Sequence, residues 1–221
     1  MARKRTAVLI SGRGSNMAAL IEAAADPAYP AEIALVLSNV ADAGGLAIAT
    51  SKGIKTETVD HKTFGKDRDA FETAIQKALD AGKIDFVCLA GFMRLLTPAF
   101  VQRWYGRMLN IHPALLPAFK GLDTHERALA EGVKIHGATV HFVVPEMDSG
   151  PIVAQAAVPV LKGDTPQTLA SRVIQAEHRI YPLALRWLAE GKLKIVDGHC
   201  VNSGASDIDG VLVSPTNLRL S

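Results

Sequence analysis

Between Thr6 and His112 the chain repeats one unit: a short, mostly apolar run of strand length, then a stretch with helical spacing. The runs fall at 6–10, 32–37, 55–59, 86–90 and Met108–His112, and the helical stretches at 17–25, 42–52, 67–81 and 97–104. Continuous apolar runs mark strands buried on both faces, and strands alternating with helices build a parallel sheet. The order predicts an α/β protein with a doubly wound, mostly parallel open sheet. In such a sheet, ligands sit beyond the carboxyl ends of the strands. Three turn-rich segments, 11–16, 91–96 and 110–113, fall at such ends. Punctuation supports the boundaries. Thr97 followed by Pro98 starts one helix, and Gly82 stops another whose Phe71, Ile75, Ala78 and Leu79 share a face.

Past a helix at 124–131 the pattern changes. The stretches 136–144 and 152–160 read as two strands joined by the Gly/Pro-bounded loop 145–151, an antiparallel addition to the sheet. Residues 165–190 form a long helix, with Thr165 as cap, Pro166 at its first position and Gly191 as its stop. Pro182 inside it is expected to bend it near 180–181. In the tail, 194–196 and 211–213 are β-like pieces around Asp-Gly and Ser-Gly turns, expected to form a hairpin on the sheet edge.

With 221 residues, 48% hydrophobic and 21% charged, the chain suits a single domain with a sizeable core. A net charge of +2 gives no reason to expect nucleic acid as a partner. No apolar run reaches the ~18 residues of a membrane helix, and the first one meets a glycine turn at once, unlike a secretory signal. Cys88 and Cys200 make neither a disulfide framework nor a metal set. The expectation is a cytoplasmic protein acting on small molecules, as a monomer or a homodimer.

The chemistry concentrates in LNIHPALLPAFKG at 109–121. On a strand, the period of two puts Asn110 and His112 on one face. Asn brings a neutral amide N–H, and His is the side chain that titrates near neutral pH. Such a pair suits steadying a developing oxyanion and moving a proton. Pro113 and Pro117 fix the direction in which the chain leaves the strand, and the bond before Pro117 admits the cis form. The plainer alternative is that His112 caps a buried strand end.

Upstream, SGRGSN at 11–16 stands between strand and helix, where backbone N–H groups and a helix N-terminus meet an anion. It lacks the Lys of a Walker loop and the third glycine of a dinucleotide fingerprint, so it points to a single phosphate. Ser15 and Asn16 are placed both to cap the helix and to bond the same oxygens. An ordinary βα turn is the competing reading. Asp148, in MDSGP, is by default a turn residue. Facing His112, it would favour the imidazolium form and orient the ring, or hold a water for proton relay.

The segments NIHP with LLPAFKG, HGATVHFV at 136–143 and MDSGPIVAQ at 147–155 together resemble the folate-dependent formyltransferases. SGRGSN, AGFMRLL at 90–96, GLDTHERAL at 121–129 and AEHRIYP at 176–182 narrow the resemblance to those that formylate glycinamide ribonucleotide in purine synthesis. The resemblance covers nearly the whole chain, to about Lys194. It implies a Rossmann-like formyltransferase fold and transfer of a formyl group from 10-formyltetrahydrofolate, as cosubstrate, to the ribonucleotide's amine, without a metal.

Carried over residue by residue, Asn110, His112 and Asp148 match the catalytic three. Gly14, Ser15 and Asn16 match the phosphate loop, with Pro113 and Glu177 on the same ribonucleotide side. Arg68 matches a residue that meets the folate tail. Met93, Arg94, Leu95 and Leu96 match backbone that holds the pterin, with Leu89 and Gly91 at its edge and Asn110 shared. Val144, Pro145, Glu146, Met147 and Asp148 match the other folate loop. The single domain is expected to divide into a nucleotide half at 6–110, a catalytic and folate half at 111–195 and a tail at 196–221.

Three readings compete. A 10-formyltetrahydrofolate deformylase carries an N-terminal regulatory domain, for which no room is expected here. Formylation of initiator methionyl-tRNA goes with a C-terminal RNA-binding domain and a basic surface. The third is a non-catalytic nucleotide-binding protein.

Overall fold

The structure, a computed structural model, describes residues 2–204 and residue 214. In chain order its first half runs β1 (Lys4–Ile10), α1 (Ser15–Ala24), β2 (Ala31–Ser38), α2 (Gly44–Ser51), β3 (Thr56–Thr58), a 3-10 turn at His61–Phe64, α3 (Arg68–Ala81) and β4 (Phe86–Leu89). There follow α4 (Pro98–Arg103), β5 (Met108–His112), α5 (Thr124–Ala130), β6 (Ile135–Phe142), β7 (Ile152–Pro159), α6 (Pro166–Ala189), β8 (Leu193–Val196) and β9 (His199–Asn202).

Seven strands make one sheet in the order β3-β2-β1-β4-β5-β6-β7. β1 to β5 pair in parallel, and β6 and β7 are the antiparallel addition. The chain leaves β1 toward β2, then returns to place β4 on β1's other side. Sheets that reverse in this way leave a crevice for ligands at the reversal.

The period of two explains the layers. Val8 and Ile10 of β1 enter the layer that holds α1 and α6, while Ala7 and Leu9 enter the layer of α3 and α4. β5 divides likewise: Leu109 and Ile111 join the first layer and Met108 the second. Asn110 and His112 therefore share Met108's face at the carboxyl end of the strand. α6 buries Leu169, Val173, Ile180, Tyr181, Ala184, Leu185 and Leu188 as one stripe, with Glu177 inside it. Thr165 and Thr168 close a capping box at its start, and the helix continues through Pro182 without interruption.

The tail differs from expectation. β8 pairs with β9 across Asp197 and Gly198, both at positive φ (49° and 77°), as a tight two-residue hairpin requires. The two strands form a sheet of their own instead of an edge of the main one. β9 was missed because HCVN alternates weakly; the expected strand at 211–213 lies outside the described residues. Among the described residues no helix is long and apolar enough to cross a membrane.

Candidate active site

Beyond the ends of β4 and β5 lies a cavity of about 630 Å³. Of the residues picked from sequence, Leu89, Gly91, Met93, Arg94, Leu95, Leu96, Asn110, His112, Pro113 and the run from Val144 to Asp148 all line it. His125 and His141 reach it as well.

Two side chains of β5 are set by their neighbours. His141 stands opposite Asn110 in the antiparallel register of β5 and β6. Its Nδ1 lies 2.9 Å from the Phe142 carbonyl, which only accepts, so Nδ1 carries the proton and Nε2 is left as an acceptor. Burial lowers the pKa of His141 and favours this neutral form. Nε2 thus accepts one N–H of the Asn110 amide at 3.2 Å, which leaves the other N–H for the cavity. His112 points Nε2 at the Phe119 carbonyl, 2.9 Å away, and Nδ1 at Asp148 Oδ2, 3.4 Å away.

Asp148 also accepts the Gly121 N–H at 2.9 Å and stands 3.8 Å from His141 Nε2. Its φ of 50° is a left-handed conformation that Asp tolerates better than most residues. The pairing of Asp148 with His112, which the sequence leaves open, is present. Thr139, opposite His112, accepts the Leu116 N–H at 3.0 Å and donates to the Ala114 carbonyl at 2.7 Å. It thereby ties down the loop that leaves β5, where the Leu116–Pro117 bond is cis. The sequence gives no role to Thr139, and it offers His141 only as a strand residue facing the site, with no chemistry assigned. Their signal is the period of two in IHGATVHF, readable only once the register is known.

Residues 91–97 have no regular secondary structure, yet every second one is tied down. Gly91 O accepts the Ser11 N–H at 3.1 Å, and the Met93 N–H donates to Ser11 Oγ at 2.7 Å. Leu95 O accepts from the Arg68 guanidinium at 2.6 Å, and the Thr97 N–H donates to buried Glu72 at 2.6 Å. Among the described residues the N–H groups of Phe92, Arg94, Leu95 and Leu96 have no partner. They remain as donors on a segment that lines the cavity. Arg68 itself is not part of the lining.

The glycine loop corrects one expectation. Gly14, at φ 74°, is the N-cap of α1, and no side chain caps the helix. Ser15 and Asn16 already belong to its first turn, so neither can take that position. The first-turn N–H groups are left without a side-chain acceptor, as an anion site requires. Asn16 instead donates to Glu177 at 2.7 Å, and its own Oδ1 is buried without a donor. Burial raises the pKa of Glu177, the Asn16 bond opposing it. These residues lie outside the cavity that Asn110 and His112 line. No cluster of three or more His, Cys, Asp or Glu side chains suited to a metal ion occurs among the described residues.

One buried histidine makes a measurable difference. His136 is 1% exposed, and its ring meets His125 and Phe119 edge-on. Burial, and next the neighbouring His125, lower its pKa from 6.5 to about 4. Between those values the unfolded chain binds the proton first, so stability falls as pH drops through that window. Urea unfolding at stepped pH is expected to show this decline, and His136→Phe to make it shallower. An unchanged slope would remove His136 as a cause.

The model of the family described as formyl transferase matches residues 4–185. The phosphoribosylglycinamide formyltransferase of Escherichia coli (strain K12) is 44% identical over 208 residues, 94% of this chain and 95% of that protein. The human trifunctional purine biosynthetic protein adenosine-3 is 51% identical over 193 residues, 87% of this chain; the chain spans only 19% of that much longer relative. The crystal structure of the phosphoribosylglycinamide formyltransferase of Brucella melitensis superposes with a TM-score of 0.81 at 57% identity, covering 85% of this chain and 96% of that one. A formyltetrahydrofolate deformylase from Pseudomonas syringae shares the fold at a TM-score of 0.83 but only 26% identity, and this chain spans 66% of it.

Proposed function

The chain belongs to the formyl transferase family, and from that premise we propose that it moves the formyl group of 10-formyltetrahydrofolate to the amine of glycinamide ribonucleotide, a step of purine biosynthesis. The observation that carries this reading is the placement of Asn110 and His112 together at the end of β5, on one cavity, with Asp148 behind the imidazole.

The folate cosubstrate takes the cavity. Its ring meets the free backbone donors of Arg94 and Leu96, between the edge residues Leu89 and Gly91 and the loop from Val144 to Asp148, and its tail extends toward Arg68. The ribonucleotide phosphate takes the uncapped start of α1 at Gly14, Ser15 and Asn16, with Pro113 and Glu177 toward the glycinamide.

The amine attacks the formyl carbon and charge gathers on the formyl oxygen. The free N–H of Asn110 donates to that oxygen, and a donor so placed is worth about 3–4 kcal/mol. His112 acts through Nδ1, because Nε2 is committed to the Phe119 carbonyl. As the bond to the folate nitrogen breaks, one proton must pass from the attacking amine to that nitrogen. His112 Nδ1 and Asp148, or a water held by Asp148, carry it. No covalent intermediate on Ser or Cys is needed.

A deformylase is the second reading, favoured by the shared fold of the P. syringae enzyme. One assay separates the two. Loss of the formyl group from 10-formyltetrahydrofolate, followed by absorbance, is expected only when glycinamide ribonucleotide is present. Equal turnover without it would mean a hydrolase, and no turnover in either case would reject both.

A further inference from the structure

We propose that the Ser11 hydroxyl is a positioning group for the folate side of the site, although Ser11 opens the glycine loop assigned to the ribonucleotide phosphate. A serine in such a loop would ordinarily turn its hydroxyl to the anion. Here it points the other way. Ser11 Oγ donates to Asn39 Oδ1 at 2.5 Å and accepts the Met93 N–H at 2.7 Å. Its backbone N–H donates to the Gly91 carbonyl. One residue therefore holds the free-standing segment at both 91 and 93, while Arg68 and Glu72, from α3, hold it at 95 and 97.

The orientation of the hydroxyl is not free. Asn39, just past the end of β2, is 2% exposed, and its backbone carbonyl accepts from His61 Nδ1 at 2.8 Å. A carbonyl oxygen only accepts, so the single proton of Ser11 is committed to Asn39 Oδ1 and its lone pairs are left for Met93. Without the hydroxyl, the Met93 N–H loses its acceptor and Asn39 Oδ1 loses its donor. The segment then loosens next to Arg94, whose N–H is one of the donors left for the folate ring. The loss falls on the folate, since nothing ties this hydroxyl to the start of α1. The assignment of folate to this cavity is the premise for all of this.

The test compares wild type with Ser11→Ala and Ser11→Thr, reading kcat, both KM values and the Kd of tetrahydrofolate by titration calorimetry. The loss of one net hydrogen bond is expected to raise the folate KM and the tetrahydrofolate Kd by about fivefold in Ser11→Ala. The ribonucleotide KM and kcat should stay near wild type. Ser11→Thr, which keeps the hydroxyl, should restore folate binding. A ribonucleotide KM that rises as much as the folate KM would overturn the proposal and return the hydroxyl to the phosphate. So would unchanged folate binding. If Ser11→Ala does not fold, Ser11→Cys, a weaker acceptor, carries the same expectation. Wild type that binds no tetrahydrofolate would instead overturn the folate assignment, and this inference with it.

Discussion

His112→Ala and Asn110→Ala are each expected to lower kcat by about a hundredfold to a thousandfold while KM for either substrate changes little. The asymmetry follows from where charge appears. Before reaction the formyl oxygen carries no full charge, so a donor aimed at it adds little to binding. In the transition state it does, and a missing donor then costs its full worth. Asn110 is suited to this because His141 occupies one of its two N–H groups and leaves the other fixed in direction. His112 is suited for a similar reason: its Nε2 is held by the Phe119 carbonyl and its Nδ1 faces Asp148. If the two act on one oxygen and one proton, as proposed, their effects should not multiply. The double variant is expected to lose little more than the worse single variant. Steady-state kinetics on purified variants decides it. Near-normal turnover in either single variant would remove that residue from the reaction.

Much of this site was legible before any coordinates, and what was not has a common cause. Asn110 and His112 share a face because a strand repeats every second residue, which needs no tertiary information. The layered core follows from the same rule, since unbroken apolar runs such as that of β1 must bury both faces. The glycine loop was legible as a turn between strand and helix, but its cap was not. Ser15 and Asn16 are good capping residues, and only the left-handed φ of Gly14 shifts the cap onto a residue with no side chain. Thr139 and Ser11 escaped because their partners lie on other elements, so their roles depend on strand order and register. The backbone of Met93 to Leu96 was marked only through the family resemblance, because side-chain letters do not report which amides stay unpaired. In the tail β9 went unread because HCVN gives little apolar alternation to follow.

Gly150→Ala is expected to be among the most damaging single substitutions outside the reacting residues. A Cβ built on Gly150 would lie 1.7 Å from the Phe142 carbonyl oxygen and 2.9 Å from its carbon. Both are backbone atoms, so no flexible side chain can swing away to make room. Phe142 is further held by its N–H bond to the Pro151 carbonyl at 2.9 Å. The ends of β6 and β7 must therefore part. Overpacking a well-packed site costs about 1–3 kcal/mol, and a clash with fixed backbone belongs at or beyond the top of that range. For a chain of this size about 3 kcal/mol lowers Tm by roughly 6–12 °C. The same displacement moves Asp148, two residues away, off His112, so kcat should fall even at temperatures where the variant stays folded. Gly44→Ala is the control. A Cβ there meets nothing within 4 Å, and Gly44 begins α2 without a positive φ, so Tm should hold or rise slightly. Thermal unfolding and kinetics of the two variants side by side test the close approach itself. If Gly150→Ala keeps both Tm and kcat, residues 144–150 do not pack against the end of β6 as described, and the contact of Asp148 with His112 has to be redrawn.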